Sequence, residues 1–128
     1  MFEVGKPFNL YCDSSDFAVG AVLSQVDNEG IERPVSFISQ KLTDTQRRWA
    51  TIEKEAYAII WALNKLKEIL IGSKINVFTD HNPLVYLTES MSKSAKLVRW
   101  SLSLQNFDIL LNYKKGKLNV VADCLSRL

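Results

Sequence analysis

The hydrophobic period of the chain changes near residue 43, and that change limits its fold more than any other feature. Before it, apolar residues alternate. Phe8, Leu10 and Cys12 share one face of residues 7–12 and Asn9 and Tyr11 the other, the pattern of a strand with one buried side. Residues 17–26 and 31–39 read as a second and a third strand, with Gly20 marking a bulge or a close backbone approach and Pro34 an edge or a bulge. Their connections are short, so the three strands are expected to form an antiparallel meander. After residue 43, Trp49, Ile52, Ala56, Ile59, Ile60, Leu63, Leu66 and Leu70 recur in steps of three and four, the stripe of an amphipathic helix. Thr43-Asp44-Thr45-Gln46 matches a capping box, which predicts a helix from Asp44 to about Leu70. A strand over 74–80, a short helix opened by Pro83, a helix over 92–107, a strand from 108 into a basic turn ending at 117, and a helix over 119–128 follow. The order βββ-α-β-α-α-β-α predicts an α/β domain with one mixed sheet, its first three strands antiparallel, flanked by helices.

With 47% hydrophobic and 23% charged residues and a mean hydropathy of −0.03, the 128 residues read as one folded domain, 1–128, which excludes a disordered segment. No signal peptide and no membrane-length apolar run is present, so an intracellular, cytoplasmic setting without membrane contact is expected. The chain opens almost at once on a strand, as a domain cut from a longer polypeptide would. Cys12 and Cys124 both sit in apolar runs and read as buried, reduced thiols rather than a disulfide framework. The net charge of +2 pulls only weakly toward an anionic partner, although the basic residues gather late in the chain.

Four acidic positions have placements that the fold alone does not demand. Asp13 ends the first strand and Asp80 the fourth, Glu55 or Glu53 lies in the long helix, and Asp123 lies in the last helix. Each acid taken singly also fits a solvated turn residue, a helix cap or a surface ion pair. If the first and fourth strands are parallel neighbours, Asp13 and Asp80 stand side by side at the carboxyl end of the sheet, where ligand sites of open α/β sheets lie. Carboxylates gathered there repel one another unless a cation holds them. Hard oxygen donors without neighbouring His or Cys point to Mg²⁺ or Mn²⁺ rather than zinc.

The stretches KPFNLYCDSSDFAVGAVLSQ, RPVSFISQKL, TIEKEAYAIIWALNKL, FTDHNPLVYL and NVVADCLSRL, in that order and with the expected gaps, resemble the ribonuclease H domain of gypsy-class LTR-retrotransposon Pol polyproteins. The resemblance covers essentially the whole chain. It implies the ribonuclease H fold and cleavage of the RNA strand of an RNA–DNA hybrid by a site of four carboxylates and two Mg²⁺ ions, for which Mn²⁺ can substitute. Carried over onto the matching blocks, it assigns Asp13, Glu55, Asp80 and Asp123 as catalytic metal ligands, with Glu55 taken over Glu53 on register. Asp16 is left without a role there and reads as an Asx-type turn residue. The loop KKGKLN lacks the histidine that cellular ribonucleases H carry before the last helix. The one histidine, His81, reads as part of the Asn82-Pro83 turn.

An A-like hybrid is gripped through its shape and phosphates, for which Lys93, Lys96, Arg99, Lys114, Lys115 and Lys117 are the candidates. Trp49, Trp61 and Trp100 fall in helical patterns and read as core or interface. The resemblance further implies a polymerase domain in the same polyprotein as partner, and a virus-like particle as setting. The competing expectation is a catalytically silent domain of this fold kept as a tether or interaction surface; such copies have typically lost an acid, and here all four are present.

Overall fold

Phe8, Leu10 and Cys12 lie buried on one face of β1 (Phe8–Ser14) in the computed structural model, which describes residues 2–79 and 95–113. β1 pairs antiparallel with β2 (Ala18–Val26), and β2 antiparallel with β3 (Glu32–Lys41). β4 (Lys74–Thr79) runs parallel to β1 on its other side, and β5 (Asp108–Tyr113) parallel to β4. The sheet order is thus β3-β2-β1-β4-β5, the mixed five-stranded sheet expected from the sequence. β1 is its middle strand, and both of its neighbours shield it.

Pro34 stands on an edge strand and beside a bulge, since the β2–β3 register shifts between Leu23 and Ser24 and passes over Val35. A proline cannot donate to a ladder, so both placements follow from its missing N–H. The bulge expected at Gly20 is not there. Gly20 pairs in regular register with Asp13 on one side and Ser39 on the other.

The capping box forms as read: Thr43 Oγ1 accepts from the Gln46 N–H at 3.1 Å and Gln46 Oε1 from the Thr43 N–H at 2.9 Å. The helix it starts is not continuous, however. α1 (Asp44–Arg47) closes after one turn, and Ala50 is extended (φ −60°, ψ 151°) before α2 (Thr51–Lys65) begins. A second irregularity at Leu66 separates α2 from α3 (Lys67–Leu70). The break at Ala50 coincides with an aromatic contact that local propensity does not register. Trp49 meets Tyr57 edge-on at 5.5 Å between centroids and Trp100 of α4 (Ala95–Leu104) at 5.8 Å. Tertiary packing thus overrides the uninterrupted stripe.

The core lies between the sheet and α2, where Leu10, Leu23, Val77, Ile59 and Leu63 are all at most 1% exposed. Trp61 and Trp100 are buried, as expected, and Trp49 is half-buried. The Trp61 indole N–H donates to Gln40 Oε1 at 3.1 Å, so burying it leaves no polar cost. Cys12 is buried as a thiol. On the opposite face, Tyr11 stacks on Phe78 at 4.8 Å, and its hydroxyl donates to Glu32 Oε1 at 2.5 Å.

The β2–β3 turn carries a testable charge. Asp27 accepts from the Ile31 and Glu29 N–H groups and from Arg33 Nε, each at 2.9 Å. The Ile31 bond first, and Arg33 next, hold its carboxyl below the usual aspartate value of 3.8. A depressed folded-state pKa stabilises the fold above the unfolded value and loses that contribution as pH falls through the folded one. An NMR titration is expected to place the Asp27 midpoint below 3.8, and Asp27→Ala to flatten the fall in stability below that pH. A midpoint at or above the usual value would contradict the turn geometry.

Candidate active site

Strand alternation carries Asp13 onto the Tyr11 face and Ser14 onto the Cys12 face, toward α2. The pairing extends β1 through Ser14, so Asp13 sits inside the strand's last turn of pleat rather than beyond its end. It is half-buried, and its Oδ1 accepts from the Ser14 N–H at 2.9 Å.

Glu55 is the buried acid of α2, only 2% exposed, whereas Glu53 is half-buried. A carboxylate at such depth is costly unless something compensates it. Part of that compensation is visible: Ser14 Oγ donates to Glu55 Oε1 at 2.7 Å. One serine therefore joins the two acids, through its amide to Asp13 and its hydroxyl to Glu55. The two carboxylates also act together on Cys12. Its thiol is pushed well above its ordinary value by burial first, then by the negative charges of Glu55 and Asp13.

The turn that follows is built differently from the expectation. Ser15 Oγ, not Asp16, accepts the N–H groups of Phe17 and Ala18, at 3.2 and 3.1 Å, while the Ser15 N–H donates to the Ala18 carbonyl at 2.8 Å. A serine hydroxyl closes such a turn as well as an Asx carboxylate does. Asp16 reaches instead across to α2, where its Oδ1 lies 3.7 Å from Lys54 Nζ. That pair is uneven, with the Lys54 side chain 7% exposed and Asp16 86%. Two links thus fasten the β1–β2 turn to adjacent positions of α2, Ser14 to Glu55 and Asp16 to Lys54.

A third tie brings in α1. The Leu42 N–H donates to the Phe17 carbonyl at 2.7 Å, and the Arg47 guanidinium lies 4.6 Å over the Phe17 ring. Between them opens a cleft of about 420 Å³ lined by Asp16, Phe17, Asp44, Arg47 and Arg48. The two arginines are exposed cations that the sequence reading did not single out; the RR pair before the helical stripe was the available signal.

Of the four assigned acids, Asp13 and Glu55 are described and are brought together through Ser14. β1 and β4 run parallel side by side, Tyr11 opposite Phe78. Asp80, next in sequence after β4, lies outside the described residues, as do His81, Asp123, Cys124 and the last helix. Lys93, Lys114, Lys115 and Lys117 lie outside them too, as does the side chain of Lys96, while Arg99 is exposed on α4. Among the described residues no group of three or more His, Cys, Asp or Glu gathers as a metal centre. The two acids linked through Ser14 offer hard oxygen donors, and the neighbouring Cys12 is buried in the apolar core. This partial donor set fits Mg²⁺ or Mn²⁺ and not a thiophilic metal.

Residues 3–107 match the family described as the RNase H-like domain found in reverse transcriptase. The chain is 48% identical over 124 residues to the retrovirus-related Pol polyprotein from transposon opus of Drosophila melanogaster, covering 96% of the chain and 12% of that protein. Against the Pol polyprotein from transposon gypsy of the same organism it is 46% identical over 123 residues, covering 95% of the chain and 11% of that protein. The chain therefore spans about a tenth of the length of the curated relatives it matches. Among solved structures, the foamy viral protease-reverse transcriptase dRH in complex with ds DNA superposes with a TM-score of 0.72 at 19% identity, over 88% of this chain and 20% of that one. The foamy viral protease-reverse transcriptase in complex with RNA/DNA hybrid gives 0.69 at 17%, over 91% and 16%. RNase H1 from the archaeon Halobacterium salinarum gives 0.62 at 19% identity, over 93% of both chains. At these identities the structural likenesses establish the fold alone.

Proposed function

The chain belongs to the RNase H-like domain family found in reverse transcriptase, and on that premise we propose that it hydrolyses the RNA strand of RNA–DNA hybrids within a retroelement Pol polyprotein. The observation that carries this reading is the convergence of Asp13 and Glu55 on Ser14, two carboxylates from different elements placed where a stable fold alone would not place them. Asp80 and Asp123, from the matching blocks of sequence, complete the proposed ligand set for Mg²⁺. When bound, paired divalent ions supply an activated water and charge neutralisation at the leaving oxygen of a phosphodiester.

The chain's own part is to hold the donors ready. β1, shielded on both sides, keeps Asp13 rigid, and α2 carries Glu55 in from across the core. Preorganisation of this kind spares the reorganisation that water would otherwise require. Exposed Arg47, Arg48 and Arg99 are available for backbone phosphates, joined in the proposal by Lys93, Lys96, Lys114, Lys115 and Lys117. A complex with an RNA/DNA hybrid is known for the foamy viral relative in fold, which supports a hybrid as substrate here. The polymerase domain of the same polyprotein is the proposed partner in gripping the duplex.

Cleavage of an end-labelled RNA–DNA hybrid by the polymerase and this domain as one polypeptide tests the proposal. The expected result is Mg²⁺-dependent cutting of the RNA strand only, lost in Asp80→Asn. Absence of cutting in the wild type, or cutting that Asp80→Asn leaves intact, would refute it.

A further inference from the structure

Ser14 is a residue that neither the spacing of the acids nor the resemblance singles out, yet it hydrogen-bonds to both described acids. We propose that Ser14 is a positioning residue of the metal centre, setting the separation and orientation of the Asp13 and Glu55 carboxylates through its amide and its hydroxyl. The inference deepens the proposed function and rests on it.

Three observations carry it. The first is the double engagement, the amide bond to Asp13 Oδ1 at 2.9 Å and the hydroxyl bond to Glu55 Oε1 at 2.7 Å. The second concerns what holds Ser14 itself. It pairs with Val19 in the β1–β2 ladder, and the next residue closes the turn through the Ser15 N–H and Oγ. A hydroxyl on so constrained a backbone has little freedom to follow a moving partner. The third is the parallel tether one residue away on α2, Lys54 to Asp16 at 3.7 Å, which keeps helix and turn in register. Strand, turn and helix form a frame, and Ser14 is the member that hydrogen-bonds to both described acids.

The hydroxyl is a small part of the frame and a large part of the alignment. A hydrogen bond to a carboxylate selects one oxygen and fixes the rotation of the group, and outer-shell bonds of this kind typically govern metal affinity or activity by about 10- to 100-fold. Threonine keeps the hydroxyl, whereas alanine and valine remove it, valine at threonine's shape.

The test measures Mn²⁺ affinity by calorimetry, melting temperature, and kcat and KM on the hybrid for Ser14→Ala, Ser14→Val and Ser14→Thr. Loss of the hydroxyl is expected to weaken Mn²⁺ binding by roughly tenfold and to lower kcat by roughly 10- to 100-fold, with KM within about twofold. Ser14→Thr is expected to restore both to within about threefold. Unchanged Mn²⁺ affinity in Ser14→Ala overturns the proposal, including when the melting temperature falls, since that outcome makes the serine merely structural. Equal loss in Ser14→Thr and Ser14→Val also overturns it, and so does a wild-type chain that takes up no Mn²⁺. The two proposals fail separately. A wild type that binds Mn²⁺ but cuts no hybrid defeats the catalytic reading, while the Mn²⁺ affinities still decide the role of Ser14.

Discussion

Glu55→Gln is expected to lower hybrid cleavage by about 10³-fold while leaving the protein folded, the scale on which preorganised charge at a reacting centre acts. The reasoning turns on what the substitution keeps. A glutamine at this position retains the carbonyl oxygen that accepts from Ser14 Oγ, so the 2.7 Å bond survives, and the side-chain volume is unchanged. What disappears is a negative charge on a side chain only 2% exposed. Removing a buried charge relieves its desolvation cost, so the melting temperature should stay level or rise. Activity and stability thus move apart, which a structural glutamate would not produce. Glu53→Gln, at a half-buried position two residues earlier in α2, is expected to leave cleavage within about twofold. Calorimetry on the same proteins should show Mn²⁺ affinity lost in the first variant and kept in the second. Full cleavage by Glu55→Gln would remove the acid from the site.

The largest expected loss of stability lies in the strand that carries Asp13. Leu10 is fully buried in β1, paired in register with Leu23 of β2 and Val77 of β4, themselves fully buried. Its truncation to alanine removes buried methyl groups where three strands meet and where the surrounding frame has little room to collapse. Such sites cost about 3–4 kcal/mol. For a domain of this size that corresponds to a fall in melting temperature of roughly 10–15 °C, measurable by calorimetry or circular dichroism. A fall of only a few degrees would show that α2 settles onto the sheet to fill the gap.

The alternation in residues 7–12 and the capping box at Thr43 were legible because both are local signals, complete within one or two turns of chain. The antiparallel meander followed from connection lengths, Asp13 stood out as an acid without a structural excuse, and Glu55 was taken over Glu53 on the register of the resemblance. What stayed hidden depends on partners distant in sequence. The break at Ala50 answers to Trp49 meeting Trp100, while the apolar stripe runs through it in unbroken phase. Asp16 looked like a turn residue because its partner, Lys54, is a helical lysine whose burial no local pattern announces. Gly20 was read as a bulge or a close backbone approach, and it pairs in regular register, while the bulge lies at Val35, beside Pro34, where an edge or a bulge was expected. Ser14 was passed over because a serine following a strand reads as turn chemistry, and its second bond spans 41 residues.

The placement of Pro34 bears on how the molecule behaves in a crowd. An outer strand with unsatisfied amides is a template onto which another copy can add. β3 is such an outer strand, ten residues long, with Phe37 42% exposed upon it. A proline and an extra residue near its start interrupt the row of donors, and Glu32, Arg33 and Lys41 place charge at both of its ends. The same residue that spoils the regularity of the sheet thus disfavours the addition of a further strand along this edge.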